Sequence, residues 1–272
     1  MSFDLQFWGT RASYPFFTPA HAGLGGDTSC VGLSVAGSRL FIDAGTGLMH
    51  AEPGDGHDII VLSHFHLDHV LGLPYFLGKK QRGTLSLASA HCASATDLRE
   101  RIGSIYGGLG FPVSLGQIAP LLEFVHIPAA GIVIGPWTIA TARLNHPGDA
   151  FGYRITPAAQ RDAVVYLSDH EHGSPRDAEL LEFASDARLI VWDSSFDDRS
   201  FEPVRGWGHS TWQQGIAFFE RTHSRALALS HHDPARTDAV ADEIRRQIAH
   251  PRVFLAADRM RLNPADQDYR TR

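Results

Sequence analysis

The chain of 272 residues is poor in cysteine and lacks long apolar runs. Its two cysteines, Cys30 and Cys92, are too few for a disulfide framework at this length, so we expect two free thiols. The first residues form neither the basic nor the apolar part of a secretory signal, and no apolar run approaches the roughly 18 residues of a membrane-spanning helix. These absences predict a cytoplasmic protein with reduced thiols and no membrane partner.

Positive charge is also scarce. The 24 Lys and Arg residues are outnumbered by 30 Asp and Glu residues, which gives a formal net charge of −6 and a sequence pI of about 6.2. Because a broad nucleic-acid-binding face is normally basic, we expect no extended nucleic-acid surface, although a local basic patch stays open. The hydrophobic fraction of 43% is ordinary for a globular protein. No linker or repeat divides the chain, so we expect a single domain over residues 1–272.

Histidine, by contrast, is abundant, with 16 residues, and one short segment concentrates it. His64, His66, Asp68 and His69 directly follow the apolar run 59–62, which predicts a buried strand. Active sites of α/β proteins gather at the carboxyl ends of strands. Imidazole nitrogens suit zinc, iron and nickel, and a carboxylate oxygen can complete or bridge such a site. The segment therefore predicts a metal centre rather than a solvated polar loop.

The pattern His-x-His-x-Asp-His after an apolar strand resembles the metallo-β-lactamase superfamily. That family needs three more ligands downstream, each after a strand. His146, Asp169 and His231 each follow a strand-like apolar run, in the order that the family requires. The resemblance extends from about Leu5 to about Asp258. It implies an α/β fold, the four-layer αββα sandwich of the metallo-β-lactamase type, in which helices cover two sheets packed face to face.

The resemblance also implies two metal ions and assigns their ligands. The first ion would be held by His64, His66 and His146, and the second by Asp68, His69 and His231, with Asp169 bridging the two. Two ions about 3.5–4 Å apart can share a hydroxide and stabilise both sides of an in-line displacement. Zinc is the default metal for a ligand set rich in neutral imidazole, while manganese and iron stay open.

A second motif bears on the reaction. Residues 206–211 resemble the Gly-His-Ser-Thr element of ribonuclease Z and of small phosphodiesterases close to it, in which the histidine can protonate the leaving oxygen. This implies catalytic roles for His209, for Asp193, which would orient it, and for Asp68, which would also orient the hydroxide. A carboxylate behind an imidazole suits a general acid near neutral pH. Alternatively, His209 only caps the helix that starts near Thr211, where Ser210 resembles a cap.

Three departures or ambiguities accompany the resemblance. Ribonuclease Z usually carries a long tRNA-gripping arm between its third histidine and its bridging aspartate, but His146 and Asp169 are only 23 positions apart. With the acidic net charge, this weakens a tRNA-processing function. His170 stands where many relatives have a small hydroxyl residue, and it is either a pocket donor or a solvated side chain. Arg11 is either a phosphate contact or part of a structural salt bridge.

The remaining patterns concern the elements that would carry the site. Residues 31–42 have the spacing of a β-hairpin, and Asp43, after its second strand, would orient a ligand histidine by the same resemblance. The glycine-rich residues 106–113 form a loop that either packs or lines a pocket. Helices are expected near residues 70–76, 95–105, 175–187, 211–222 and 235–248.

Three hypotheses follow for the function. The first is a dinuclear metal-dependent hydrolase that acts on a small or cyclic phosphodiester through a metal-bridging hydroxide. The second is a carboxylic ester or lactone hydrolase, since the same hydroxide could attack a carbonyl. The third, from another class, is a metal-dependent sensor or regulatory module, because a complete ligand set does not prove turnover. The expected partner is a small-molecule phosphodiester, and a homodimer stays open.

Overall fold

The computed structural model of the chain describes residues 4–107, 111–119, 122–158 and 162–262. The strands of the first half are β1 Asp4–Gly9, β2 Cys30–Val35, β3 Ser38–Ile42, β4 Asp58–Leu62, β5 Leu85–Ser89 and β6 Leu122–His126. Those of the second half are β7 Ile132–Ile134, β8 Trp137–Arg143, β9 Phe151–Pro157, β10 Val164–Leu167, β11 Leu189–Asp193, β12 Leu227–Ser230, β13 Val253–Leu255 and β14 Arg261–Leu262. The α-helices are α1 Leu67–Val70, α2 Leu73–Lys79, α3 Ala95–Ile105, α4 Leu115–Ile118, α5 Asp177–Ala184, α6 Trp212–Phe219 and α7 Asp238–Gln247.

These strands form two mixed sheets with the same pattern of directions. The first has the order β14-β1-β2-β3-β4-β5-β6, and the second has the order β13-β12-β11-β10-β9-β8-β7. Strands β3 to β6 pair in parallel, as do β10 to β13, whereas the other pairs are antiparallel. The carboxyl ends of parallel neighbours lie at one edge of their sheet. The segments after β3, β4, β10, β11 and β12 are therefore available to build a shared site.

The central strands of both sheets are apolar on both faces, which explains why they read as continuous apolar runs. In β11, Leu189 and Val191 pack in the core between the sheets, while Ile190 and Trp192 pack in the core beneath the second layer of helices. The period of two along a strand sends alternate side chains to opposite faces. Strand β4 repeats this arrangement in the first sheet.

Helices cover the outer face of each sheet. Phe76 of α2 and Leu98 of α3 pack against the first sheet, while Leu180 of α5, Phe218 of α6 and Ile244 of α7 pack against the second. The order of layers is helix, sheet, sheet, helix. The predicted αββα sandwich is confirmed. Among the described residues, no helix is both long enough and apolar enough to cross a bilayer.

The predicted elements agree with the structure in kind and differ at their ends. Val31 pairs with Ile42 in the predicted hairpin, and a two-residue turn at Ala36 and Gly37, with φ of 48° and 80°, joins the strands. The helix predicted near residues 70–76 is instead two helices that break at Gly72. A Cβ on that glycine would lie 2.1 Å from the Gly45 carbonyl oxygen, so only glycine allows this close approach.

The predicted loop 106–113 packs at both of its described ends, while residues 108–110 lie outside the described part. Tyr106 is 3% exposed, and its ring centroid lies 5.5 Å from that of Phe111. The polar tail after Leu262 also lies outside the described residues. Both predicted free thiols are free and buried, and burial raises the pKa of Cys92 to about 11, which keeps it protonated.

Candidate metal centre

The predicted site residues meet at the edge where the parallel strands of both sheets end. Asp43 follows β3, Asp169 follows β10 with one residue between, and His231 directly follows β12. All three have left-handed backbone conformations, with φ of 62°, 61° and 56°. This region is strained for residues other than glycine, although Asp, Asn and His tolerate it best. Strain repeated at three strand ends of one edge is typical of a functional site.

His64, His66 and His146 form the first group of candidate ligands. The His64 ring centroid lies 4.5 Å from that of His66 and 5.0 Å from that of His146. His66 Nδ1 and His146 Nε2 approach within 3.2 Å, while His146 Nδ1 donates to the Gly208 carbonyl at 3.0 Å. Burial lowers the pKa of both His64 and His146, which favours the neutral imidazole that a metal requires. His66 is exposed, so this side of the site is open to solvent.

Asp68, His69 and His231 form the second group. Asp68 Oδ2 lies 3.3 Å from His69 Nε2 and 3.4 Å from His231 Nε2. His69 Nδ1 donates to Asp43 Oδ2 at 2.7 Å, which is the orienting contact expected of Asp43. His231 Nδ1 lies 3.1 Å from Ser195 Oγ. The outer nitrogen of each ring thus has a polar partner, and both Nε2 atoms are directed towards the carboxylates.

The electrostatics of the second group favour a positive charge. Burial lowers the pKa of His69 and His231, but nearby carboxylates, Asp169 first among them, outweigh burial and raise both values. The pKa of His231 rises to about 10. A bound cation would satisfy these carboxylates in place of the extra protons.

Asp169 lies between the two groups. Its Oδ2 is 3.1 Å from His69 Nε2 and 3.4 Å from His231 Nε2, whereas its Oδ1 is 4.0 Å from His146 Nε2. The two oxygens of one carboxylate therefore face different groups, as a bridging ligand requires. Among the described residues, the buried atoms without a hydrogen-bond partner include His64 Nε2, His69 Nε2, His231 Nε2 and Asp169 Oδ2. Buried polar atoms are normally paired, so this convergence of donor atoms fits metal ions.

His209 and Asp193 lie beside this centre as a hydrogen-bonded pair. His209 Nδ1 donates to Asp193 Oδ2 at 2.8 Å, and the His209 side chain is 14% exposed. Burial lowers the pKa of His209, but Asp193 and Asp169 outweigh burial and raise it above its ordinary value. The contact through Nδ1 leaves the Nε2 proton to face a substrate. His209 can therefore act as a protonated donor at the edge of the metal centre.

The alternative that His209 caps a helix is wrong, and so is Ser210 as the cap. The N-cap of α6 is Thr211, whose side chain accepts from the Gln214 backbone N–H while the Gln214 side chain accepts from the Thr211 N–H. This is a capping box, which needs no contribution from His209. Ser210 instead donates its hydroxyl hydrogen to the His170 carbonyl.

Arg11 binds backbone carbonyls instead of a phosphate, and among the described residues it forms no salt bridge. It is fully buried, and its Nε donates to the Gly25 carbonyl at 2.7 Å. Its Nη1 donates to the carbonyls of Asp233 at 3.0 Å and Arg236 at 2.8 Å. Burial lowers its pKa. The guanidinium thus holds together backbone from the two ends of the chain.

His170 is neither a pocket donor nor solvated. It is fully buried, its Nδ1 accepts from the Asn145 N–H at 3.2 Å, and its Nε2 donates to Asp177 Oδ1 at 3.0 Å. The side chains of His170, His172 and Asp177 lie close enough together to be considered as a metal site. However, a metal on Nε2 would require His170 to lose both ring protons, because Nδ1 already accepts a hydrogen bond. His170 therefore positions Asn145, the residue before ligand candidate His146.

Glu171 is a positioning residue that the sequence did not reveal. Its Oε2 accepts from the N–H groups of Gly206 at 2.7 Å and Gly208 at 2.9 Å. Gly208 has φ of 90°, and a Cβ there would lie 2.1 Å from His146 Nδ1. Glu171 thus fixes the loop that orients His146 and leads into His209. Its partners lie 35 and 37 positions away, so no local pattern points to it.

We expect Glu171→Ala to lower metal affinity and hydrolytic rate about 10- to 100-fold, the usual effect of losing a group that orients a ligand. Glu171→Gln keeps one oxygen acceptor and should lose less. The exposed Glu182→Ala, on α5, is the matched control. Metal titration and initial rates check this prediction, and unchanged values for Glu171→Ala would contradict it.

Comparison with known proteins places the chain in a family. A family model described as "Beta-lactamase superfamily domain" matches residues 38–232. The chain belongs to the metallo-β-lactamase superfamily. Membership confirms the predicted metal-dependent hydrolase, and the histidine and aspartate groups at its site imply divalent metal ions.

Relatives of this superfamily member align over most of its length. The protein named Ribonuclease Z of Halorubrum lacusprofundi is 26% identical, and the alignment covers 91% of each chain. The Ribonuclease Z of Bradyrhizobium sp. (strain ORS 278) is 30% identical over 84% of this chain and 89% of the relative.

Solved structures at lower identity share the fold. The metallo-β-lactamase fold protein YhfI from Bacillus subtilis superposes with a TM-score of 0.72 at 17% identity, covering 97% of this chain and 100% of that one. A diphosphatase from the PhnP family superposes with a TM-score of 0.67 at 16% identity. The superposition covers 96% of this chain and 97% of the diphosphatase chain.

Proposed function

We propose that the chain is a dinuclear metal-dependent phosphodiesterase that acts on a small or cyclic phosphodiester. The observation that carries this proposal is the position of His209 beside the candidate metal centre. Its ring centroid lies 5.1 Å from that of His231 and 5.4 Å from that of His146. An alkoxide that leaves phosphorus needs a proton, and a protonated imidazole backed by a carboxylate supplies one. The relatives named Ribonuclease Z and the PhnP-family diphosphatase support phosphate-ester chemistry.

The seven ligand candidates divide as the two groups described above. They are His64, His66 and His146, then Asp68, His69 and His231, with Asp169 between them. When bound, two divalent ions, zinc by the donor set, would polarise the phosphoryl oxygens and lower the pKa of water. Asp68 Oδ2 accepts from the Ser13 N–H at 2.8 Å, which fixes the carboxylate. Burial raises the pKa of Asp68, but His69 and His231 outweigh burial and keep the carboxylate ionised, as a group that orients the attacking water must be.

Proton donation is assigned to His209. Its Nε2 proton passes to the leaving oxygen, and the resulting neutral imidazole keeps its Nδ1–H on Asp193. Burial raises the pKa of Asp193, but His209 and His231 outweigh burial and lower it. Asp193 therefore stays ionised through the cycle and stabilises the charged form of His209.

The size of the substrate is inferred from the chain between His146 and Asp169. Strands β9 and β10 occupy half of the residues between these two positions, and the rest are too few for a long tRNA-gripping arm. The net charge of −6 also disfavours an extended nucleic-acid contact. A second candidate, removal of nucleotides from RNA, is favoured by the two relatives named Ribonuclease Z.

A substrate panel with defined metal content tests the proposal. We expect the zinc- or manganese-loaded protein to hydrolyse cyclic nucleotides or nitrophenyl diesters faster than a precursor tRNA or a lactone. Preferential lactone opening would favour the esterase alternative, and tRNA cleavage would favour the second candidate. A protein that binds two ions and turns over none of these substrates would support the sensor alternative.

A further inference from the structure

One exposed aromatic side chain lies in the loop that leads into His209 and has no role in the proposed chemistry. Trp207 is 61% exposed and stands between Gly206 and Gly208, two positions before His209. Single exposed apolar residues are common on protein surfaces, so exposure alone proves little. The surroundings of this tryptophan are what distinguish it.

The backbone around Trp207 is held in place on both sides. Gly206 and Gly208 both have φ of 90°, and both donate their N–H groups to the buried carboxylate of Glu171. The Trp207 N–H donates to the Val204 carbonyl at 3.1 Å. Such a fixed backbone presents the exposed indole at a defined place, which reduces the entropy lost when a ligand binds.

The same loop connects the indole to the reacting groups. The Gly208 carbonyl accepts from His146 Nδ1 at 3.0 Å, and His209 follows directly. Trp207 thus belongs to the same short segment as the proposed proton donor, two positions before it in the chain. The His66 side of the centre is open to solvent, so an organic group larger than the phosphate can be accommodated there.

We propose that Trp207 stacks on the base of the substrate, which makes that substrate a small nucleotide phosphodiester. The inference rests on the proposed phosphodiesterase function and names its substrate class. Every nucleobase offers a flat face to an aromatic ring, and stacking changes affinity roughly 5- to 100-fold. In a chain with a net charge of −6, the metal centre would bind the phosphate and the indole would bind the base, without a basic groove.

The test compares substrates that differ only in the base. The 2′,3′-cyclic and 3′,5′-cyclic phosphates of adenosine are each paired with the analogue in which a methoxy group replaces adenine. We expect wild-type kcat/KM to favour the adenosine compound roughly 5- to 100-fold. Trp207→Ala should lose this preference and leave the methoxy analogue unaffected, whereas Trp207→Phe should keep most of it. The control is Val133→Ala on β7, which removes an apolar side chain that is 65% exposed.

Failure of the inference can be distinguished from failure of the proposed function. Calorimetry of adenosine monophosphate against ribose 5-phosphate, with the zinc-loaded protein, measures stacking without turnover. No hydrolysis of any diester would overturn the phosphodiesterase, while tighter binding of adenosine monophosphate that depends on Trp207 would still support stacking. Three results would overturn stacking. Trp207→Ala could lower kcat/KM equally for both substrates of a pair, it could leave kcat/KM unchanged, or it could lower kcat/KM only because the mass of the oligomer changes.

Discussion

Asp169→Asn should leave the protein with no more than about one metal ion per chain and lower hydrolysis by roughly 10³-fold. One carboxylate oxygen lies 3.1 Å from His69 Nε2, and the other lies 4.0 Å from His146 Nε2, so losing the charge affects both groups. Asparagine is the sharper substitution because it tolerates the left-handed backbone at this position, whereas alanine would add strain.

The measurement is elemental analysis of protein purified without chelator, together with initial rates on a diester. Wild-type protein should contain close to two transition ions per chain, and His66→Ala should also reduce that number. The control is Asp242→Asn on α7, an exposed carboxylate whose ion pair with Arg245 is on the same helix. An Asp169→Asn protein with two ions and the full rate would show that Asp169 does not bridge.

His209→Ala should keep both ions yet lose about 10²–10⁴ in rate, the usual effect of a positioned proton donor. The loss should be largest for an alkoxide leaving group and should shrink for nitrophenolate, which departs without a proton. His223→Asn, at an exposed turn with φ of 57°, is the histidine control that preserves the local backbone. Equal losses for both leaving groups would assign His209 to binding instead.

The structure changes what is expected of Asp193→Asn. If Asp193 did nothing but orient His209, this substitution would lower the rate less than His209→Ala does, with the same dependence on the leaving group. However, Asp193 Oδ2 also lies 3.3 Å from His231 Nδ1 and accepts from the Asp169 N–H at 3.1 Å. We therefore expect Asp193→Asn to weaken metal binding as well, which titration of the ions would detect. His209→Ala is consequently the cleaner test of proton donation.

The elements and the candidate ligands could be predicted because their signals are local. An apolar run such as residues 59–62 is buried on both faces of a central strand, and the polar residue that ends it marks the edge where sites form. The hairpin from Val31 to Ile42 is likewise set by the spacing of a short turn. Short strands such as β7 and β14 were missed because two or three residues carry too little periodic pattern.

The roles of individual polar residues depended on contacts that cross the chain. The sequence left two roles possible for Arg11. It could not reveal the actual one, because the partners of Arg11 include the carbonyl of Arg236, 225 positions away. His170 and Glu171 follow Asp169 directly, yet their function comes from Asn145 and Gly208 on other segments. Local residue patterns therefore predicted most of the longer strands, and together with the family resemblance they predicted the seven ligand candidates. The pairing of β1 with β14 and the role of Glu171 in orienting His146 became visible only in the folded chain, because burial and hydrogen bonding act between neighbours in space.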